Sequence, residues 1–376
     1  MHGLYVHIPF CMRKCGYCDF ASTDRWNSED LAAYMGALAG EISRRGHEAG
    51  ESLSSLYVGG GTPTVLTPAL WEELFGAIHR QYSLDPDAEI TVEANPGTLN
   101  EEGLRHLRFL GVNRLSLGVQ SFDDWELAAM GRIHTGSQAR QMVRLAAQAG
   151  FANLSIDLMQ GVPEQTEDSF RSSLSEAAGL PLTHVSVYEL KIEPDTAFFT
   201  RQQQGRLDLP ADGVLSGMDG LREQILGEAG FGRYEISNYA RPGQESRHNL
   251  LYWRNRMYTG VGLAACSRVP GKRITNTTDM VEYIRAHRDN RLPDALVEPV
   301  DRAMALEEEL FLGLRLQEGI RAKDLQERHG VDLFAQYAGP IRQMTDEGLL
   351  SISGEGICLT RRGMDWANRV MTAFMR

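Results

Sequence analysis

The sequence lacks the features of a secreted, membrane-spanning or polyanion-binding protein. No stretch approaches the roughly 20 apolar residues that cross a bilayer. No charged segment followed by an apolar run of signal-peptide length stands near the N-terminus, so we expect a cytoplasmic location. Asp and Glu outnumber Lys and Arg by 50 to 38, which gives a net charge of -12. That balance disfavours nucleic acid as a partner, because binding to it requires clustered cations.

Cysteine is also scarce, at 5 of 376 residues. Cys11, Cys15 and Cys18 lie close together, whereas Cys266 and Cys358 stand alone. No disulfide framework is visible, which fits a reducing compartment. No second CxxC or HxxxH group follows downstream. Zinc normally takes four protein ligands in two paired groups, so it is the weaker interpretation of the three thiols.

The spacing of Cys11, Cys15 and Cys18 suits a four-iron, four-sulfur cluster. Three thiolates can hold three irons and leave the fourth iron open to another ligand. The apolar, β-branched run 4–10 precedes them, which predicts that they lie at the end of a strand. Three buried cysteines without a metal-binding role are the alternative, but such residues have no reason to cluster at ligand spacing.

Residues 4–192 alternate short β-branched runs with longer amphipathic stretches. The predicted strands are 4–9, 55–59, 89–93, 114–119, 153–159 and 184–190, and the predicted helices are 28–45, 68–81, 99–109, 137–149 and 167–178. Repeated βα units imply a parallel sheet, and six of them predict an α/β fold with an open, partial (β/α)6 barrel. Ligands of such folds bind at the carboxyl ends of the strands.

The chain divides into three predicted parts. Residues 1–210 form the barrel, and residues 211–302 form a connecting region. Residues 303–376 form a C-terminal α+β unit whose three helices and hairpin suggest a winged helix. Such units often bind DNA, but residues 301–376 hold ten Lys and Arg against twelve Asp and Glu. We therefore expect this unit to pack against the barrel or to contact a partner.

Polar residues and glycines occupy the predicted strand ends. The glycine triplet 59–61 would let backbone groups approach a ligand closely. Glu93 could hold an ammonium group or a ribose hydroxyl, and Asp157 lies in an otherwise apolar strand where a carboxylate needs a partner. Each of these residues alone has a structural explanation. Six strand ends of this kind, opposite a cysteine motif, favour a ligand site.

The Cys-x-x-x-Cys-x-x-Cys motif, with an aromatic residue before its last cysteine, resembles the signature of the radical S-adenosylmethionine (SAM) superfamily. Four further motifs are similar to the oxygen-independent coproporphyrinogen III oxidase family, and they cover 4–11, 59–64, 113–122 and 156–158. The resemblance implies a [4Fe-4S] cluster on the three cysteines and SAM at its open iron. The SAM contacts that it implies are Tyr5, Tyr17, Gly60, Gly61, Thr62, Glu93, Gln120, Arg132 and Asp157.

Two later segments resemble the heme chaperone branch of that family. They are 234–238 (YEISN) and 248–253 (HNLLYW), and the second is associated in that branch with heme binding, so the implied heme ligand is His248. A core histidine is the alternative. Cys266 stands where relatives usually carry histidine. It is either a small buried residue or a soft ligand for iron.

The residues after Cys18 separate the two branches. Oxidases carry a further cysteine two residues on, whereas here Asp19 and Phe20 follow. The resemblance therefore implies a chaperone that binds heme and delivers it to hemoproteins, respiratory ones in particular. It leaves a homodimer and peripheral membrane contact open. The alternatives are a coproporphyrinogen III oxidase or another radical SAM enzyme of porphyrin metabolism, and a plain electron-transfer iron-sulfur protein. Whether the chain is an enzyme stays undecided.

Overall fold

Six parallel strands lie side by side in chain order in the computed structural model, which describes residues 2–49 and 52–375. They are β1 (His2–Ile8), β2 (Leu53–Gly60), β3 (Leu84–Ala94), β4 (Arg114–Gln120), β5 (Asn153–Gln160) and β6 (His184–Glu189). Each strand pairs in parallel with the next. The predicted α/β class and its six parallel strands are confirmed, with strand bounds that differ by only a few residues.

Amphipathic helices follow these strands, and most of them bury their apolar faces against the sheet. They are α1 (Ser28–Ala49), α2 (Pro68–Gln81), α3 (Glu101–Phe109), α4 (Asp124–Met130), α5 (Gly136–Gln148), α6 (Glu167–Gly179), α7 (Ala197–Gln203) and α8 (Asp212–Glu228). The helix α2 begins and ends where the sequence predicts. Thr67 accepts a hydrogen bond from the backbone of Leu70, and Pro68 occupies the first helical position.

The predicted connecting region adds strands to both edges of the same sheet, which has twelve strands within the described residues. β7 (Gly232–Arg233) and β8 (Asn238–Ala240) extend the edge beside β6, and β9 (Tyr258–Val261) pairs in parallel with β1. Antiparallel strands β10 (Cys266–Val269), β11 (Lys272–Asn276) and β12 (Asp294–Pro299) follow, with helices α9 (Arg247–Trp253) and α10 (Met280–Arg288) between strands. The sequence predicted only a connecting region at 211–302. A chain division at residues 210 and 302 stays a prediction.

The C-terminal residues pack around a hydrophobic cluster of their own. This part contains α11 (Arg302–Gly313), β13 (Ile320–Arg321), α12 (Ala322–His329), α13 (Leu333–Gln336), α14 (Ala338–Asp346), β14 (Leu350–Ser353), β15 (Gly356–Leu359), α15 (Arg361–Asp365) and α16 (Ala367–Ala373). The strands form one small sheet in the order β13-β15-β14, so the predicted hairpin is present. Across residues 2–49 and 52–375, no helix has the length and apolarity that a membrane crossing requires.

A buried carboxylate fastens the added strands to the first helix. Glu41 of α1 is 1% exposed and accepts hydrogen bonds from Arg45 (2.8 Å), Asn276 (2.8 Å), Tyr283 (2.6 Å) and the backbone N–H of Gly262 (2.9 Å). These partners come from α1, β11, α10 and the end of β9. Because burying a carboxylate is costly unless its oxygens are paired, this set of bonds specifies how the edge strands meet the barrel.

We expect Glu41→Ala to lower the free energy of unfolding by about 3–5 kcal/mol, because it leaves several buried donors unpaired. The matched control is Glu101→Ala, which breaks the exposed ion pair with Arg105 and should cost about 0–1 kcal/mol. Urea unfolding of both variants measures the difference. Equal midpoints would show that the Glu41 bonds do not stabilise the fold.

Candidate functional site

The first cysteine follows β1 directly, and backbone hydrogen bonds fix its position. The N–H of Cys11 donates to the carbonyl of Thr23 (2.9 Å), and the N–H of Thr23 donates to the carbonyl of Pro9 (2.8 Å). The indole of Trp26 donates to the carbonyl of Cys11 (2.8 Å). The cysteine loop, residues 11–18, is therefore anchored at the carboxyl end of β1, where the sequence places it.

The second half of the cysteine loop is held by the other side of the barrel. The N–H of Gly16 donates to the carbonyl of Met130 at the end of α4 (3.0 Å), and its carbonyl accepts from the N–H of Phe198 in α7 (2.8 Å). The Tyr17 ring packs edge-on against Phe198, with ring centroids 6.2 Å apart. A side chain on Gly16 would collide with the Phe198 ring, which explains the glycine at this position.

Gly61 leaves space beside the thiol of Cys11, because glycine has no side chain. A Cβ atom on Gly61 would lie 2.9 Å from the sulfur of Cys11 and 2.8 Å from the carbonyl oxygen of Phe10. Arg132 donates to the sulfur of Cys15 at 3.3 Å. Burial raises the pKa of Cys11 and also of Cys18. Deprotonation of these thiols is therefore favoured by a bound cation rather than by the protein alone.

The three thiols of the cysteine loop are donors of the kind that an iron-sulfur cluster takes. Among the residues that the structure describes, no three His, Cys, Asp or Glu side chains stand close enough to hold one ion. An ion shared by all three cysteines would need sulfur distances of about 2.3 Å. In an iron-sulfur cluster each thiolate binds a different iron, so the sulfurs lie farther apart. Three thiols on one loop beside Gly61, which has no side chain, suit such a cluster.

A carboxylate lies next to the glycine triplet. Glu93 accepts hydrogen bonds from the backbone N–H of Gly60 (3.0 Å) and from the hydroxyl of Tyr57 (2.6 Å). Burial raises the pKa of Glu93 to about 7, and the nearby Asp157 carboxylate adds to the rise. Glu93 therefore takes up or releases a proton near neutral pH, and it gains its charge when a cation comes to bind there.

A second set of hydrogen bonds joins the glycine turn to the cysteine loop. Asn95 donates to Thr62 (2.8 Å) and accepts from Arg132, which in turn contacts Cys15. Asn95 was not among the site residues predicted from the sequence. The sequence feature that could have identified Asn95 is its position directly after β3, two residues from Glu93.

Gly118 lies at the centre of this polar cluster. A Cβ atom there would lie 2.7 Å from Asn95 Oδ1, 3.0 Å from Gln120 Nε2 and 3.2 Å from Arg132 Nη2. Gln120 has a φ of 68°, and the pairing of β4 with β5 is irregular just before it. The irregular strand end therefore turns Gln120 toward Arg132.

The structure brings most of the implied SAM residues to one place, and Asp157 and Tyr5 lie near enough to Glu93 to interact with it electrostatically. The group beside the cysteine loop contains Gly60, Gly61, Thr62, Glu93, Gln120 and Arg132. Asp157 lies on β5 opposite Ser186, and burial raises its pKa. Tyr5 lies inside the barrel, where its hydroxyl is 3.0 Å from His7 Nδ1. The SAM roles of all these residues stay predictions.

His248, the implied heme ligand, is a buried side chain with both ring nitrogens in hydrogen bonds. It is 1% exposed, with Nδ1 2.8 Å from the hydroxyl of Ser55 and Nε2 2.7 Å from the hydroxyl of Tyr252. Burial lowers the pKa of His248 to about 3, so the ring is neutral. This geometry matches the alternative of a core histidine. The ring offers no free nitrogen to iron unless it gives up one of these two partners.

An open cavity of about 510 Å³ lies beside β1. It is bounded by β1, by Phe20 and Ala21 after the cysteine loop, by the turn after α9, and by β10 and β11. Cys266 lines it, and its sulfur accepts long hydrogen bonds from Tyr258 and Thr275, both at 3.9 Å. The sequence did not predict this cavity, because its walls come from segments more than 200 residues apart.

Comparisons with known proteins agree with this arrangement. Residues 5–177 match the radical SAM superfamily, and residues 300–366 match the HemN C-terminal domain. The chain is 36% identical to the heme chaperone HemW of Bacillus subtilis, over 100% of this chain and 99% of that one. It is 37% identical to the heme chaperone HemW of Escherichia coli, over 73% of each chain.

A solved structure shares the fold. The coproporphyrinogen III oxidase (HemN) of Escherichia coli, described as a radical SAM enzyme, superimposes with a TM-score of 0.86 and 24% identity, covering 99% of this chain and 89% of that one. At this identity the likeness concerns the fold alone. It confirms that the sheet and the C-terminal unit share the fold of that protein.

The raised pKa of Glu93 predicts a pH dependence of stability. Its folded pKa of about 7 exceeds the ordinary value of 4.5, so the folded protein binds more protons than the unfolded chain between those values. The contribution of Glu93 to the free energy of unfolding therefore falls as pH rises from about 4.5 to about 7. We expect Glu93→Gln to stabilise the metal-free protein more at about pH 8 than at about pH 5.5. Urea midpoints at both pH values measure this, with Glu101→Gln as the control. A gain independent of pH would contradict it.

Proposed function

The chain belongs to the radical SAM superfamily and, within it, to the family of the heme chaperone HemW, and from this premise we propose that it binds heme and delivers it to hemoproteins. The observation that carries the proposal is the 36% identity to a heme chaperone over the full length of both chains. Fold similarity to the oxidase at 24% identity carries no activity with it. The absence of a further cysteine after Cys18 also favours the chaperone.

The cofactors in this proposal are a [4Fe-4S] cluster on Cys11, Cys15 and Cys18 and a SAM molecule beside it. When bound, the cluster supplies an open iron for the amino and carboxylate groups of SAM and a source of single electrons. Gly61 leaves room next to the Cys11 thiol because it has no side chain. This support comes from the shape of the site, and the individual roles are part of the proposal.

Two charged residues would orient the amino-acid part of SAM. Glu93 would accept hydrogen bonds from a positively charged group, since its carboxylate ionises near neutral pH. Arg132 would donate to a carboxylate, because its planar guanidinium suits a bidentate bond. Arg132 already contacts Cys15, so the same side chain would connect the bound carboxylate with the cysteine loop. Tyr5, Tyr17, Gln120 and Asp157 complete the implied contacts.

We expect Cys11→Ser, Cys15→Ser and Cys18→Ser each to lose most of the iron and sulfide that the wild type takes up during anaerobic reconstitution. The physical reason is that serine is a poor ligand for cluster iron, which prefers soft thiolates. Cys358→Ser, in β15 of the C-terminal unit, is the matched control and should keep the wild-type content. Iron and acid-labile sulfide per chain are the measurement. Equal losses in the control variant would count against the assignment.

We expect the purified protein to bind heme at a stoichiometric ratio, with a defined Soret band. His248→Gln should lower stability, because Ser55 and Tyr252 lose buried partners at about 1–3 kcal/mol each. It should leave the position of the Soret band unchanged, because the nitrogens of His248 face protein groups. His287→Gln on α10 is the control. No Soret band in the wild type would refute heme binding, and a shifted band in His248→Gln would restore His248 as the ligand.

The partners in this proposal are acceptor hemoproteins, respiratory ones in particular, in the cytoplasm or at a membrane surface. Exposed apolar side chains surround the cysteine loop and support contact with a partner there. Met12 is 63% exposed, Phe20 57% and Ile133 58%. Large apolar groups that cluster at the mouth of a site are typical of interaction surfaces. The proposal also includes a homodimer that forms through these exposed apolar side chains around the cysteine loop.

The C-terminal unit, residues 303–376, is proposed to support the barrel rather than to bind nucleic acid. Arg315 pairs at 3.2 Å with Glu235, a carboxylate that is fully buried beside the barrel. Asp365 lies 3.7 Å from Arg222 of α8. The C-terminal unit has its own hydrophobic cluster, which supports a distinct folding unit. The slight excess of acidic residues in this unit supports a contact with protein.

A further inference from the structure

The cavity beside β1 combines aromatic and cationic walls. Trp253 and Tyr258 contribute flat rings, and Arg256, Arg268 and Arg273 contribute guanidinium groups. We refer to this space, defined by those five residues, as the arginine cavity. The aromatic rings suit a flat apolar ligand, whereas the guanidinium groups suit negatively charged oxygen atoms. No residue of the implied SAM site except Tyr5 lines it.

The arginine cavity gathers buried polar atoms that have no partner. Among the described residues these include Nε1 of Trp253, Oδ1 of Asn255, Nε of Arg256 and Nε of Arg268, and all four residues line the cavity. Arg268 is only 8% exposed. A folded protein leaves few buried polar groups unpaired, so four residues with such groups around one space favour a polar ligand there. Three of the four atoms are donors, which indicates a ligand with acceptor oxygens.

The charges of the arginine cavity point the same way. The carboxylate of Glu308 forms ion pairs with two guanidinium groups. One of its oxygens lies 2.9 Å from Arg268, and the other contacts Arg273. Glu298 adds only a contact of 3.8 Å to Arg273. Within the described part of the chain, Arg256 has no ion pair. Its positive charge is therefore uncompensated at the wall of the cavity, where it would attract an anion.

We propose that the arginine cavity binds the carboxylate groups of a flat aromatic ligand, with Arg256 and Arg268 as the residues that contact those carboxylates. This inference rests on the proposed function, in which the ligand is heme, a planar macrocycle with two carboxylate side chains. Trp253 lines the cavity, and Arg315 stacks on its ring at 4.2 Å, which holds the indole in place. Phe20 lines the same cavity and places the ligand next to the cysteine loop.

The test compares heme with heme dimethyl ester, in which both carboxylates are esterified, by Soret titration of the full chain. We expect the wild type to bind heme about 10- to 100-fold more tightly than the ester, the range for a charge-assisted pair. Arg256→Gln should weaken heme binding about 10-fold and leave ester binding within about twofold. Arg254→Gln is the matched control, because Arg254 pairs with Glu318 at 3.0 Å and does not line the cavity.

The outcomes separate this inference from the proposed function. A wild type that binds heme and its ester equally well would overturn the carboxylate contacts while the chaperone function stands. Equal losses in Arg256→Gln and Arg254→Gln would also overturn them. A wild type that binds no heme would overturn the proposed function and this inference together. Arg268→Gln is the second variant, and its circular dichroism and melting temperature separate lost binding from lost folding, because Arg268 also pairs with Glu308.

Discussion

The parallel pairing of β1 with β2 on one side and β9 on the other is the constraint on which the rest of the site depends. In that register Ile8 lies opposite Gly60, and Val6 lies opposite Val261. The end of β1 therefore delivers the cysteine loop between the glycine turn and the arginine cavity. Close approach of backbones is required on the β9 side, because a Cβ atom on Gly262 would lie 2.6 Å from the carbonyl oxygen of His7.

His7 of β1 lies between the glycine turn and the arginine cavity. His7 lines the arginine cavity, and a Cβ atom on Gly60 would lie 2.7 Å from its Cε1 atom. Its ring nitrogens are held by the carbonyl of Ala21 at 2.9 Å and by Tyr5 at 3.0 Å, and burial lowers its pKa, which keeps it neutral. A ligand on either side therefore meets the same rigid, uncharged ring.

Local signals predicted what local residues determine. The start of α2 follows from a capping threonine and a proline. The six parallel strands follow from short apolar runs that alternate with longer amphipathic stretches. Strands of two to five residues, such as those of 232–276, carry too little periodicity to be recognised. The state of His248 also depends on a distant residue, Ser55, which occupies one of its nitrogens. A motif specifies a residue type, whereas its availability as a ligand is decided by tertiary partners.

The net charge of the sequence does not predict the charge of a ligand that binds inside a cavity. A chain with a charge of -12 disfavours polyanions, because they contact a wide surface. A small anion inside a cavity experiences mainly the groups within the screening length of about 8 Å. There the guanidinium groups of Arg256 and Arg268 are near, and most acidic residues of the surface are screened by salt. The overall charge of the protein and the sign of its preferred small ligand are therefore independent properties, and only the fold connects the arginines into one site.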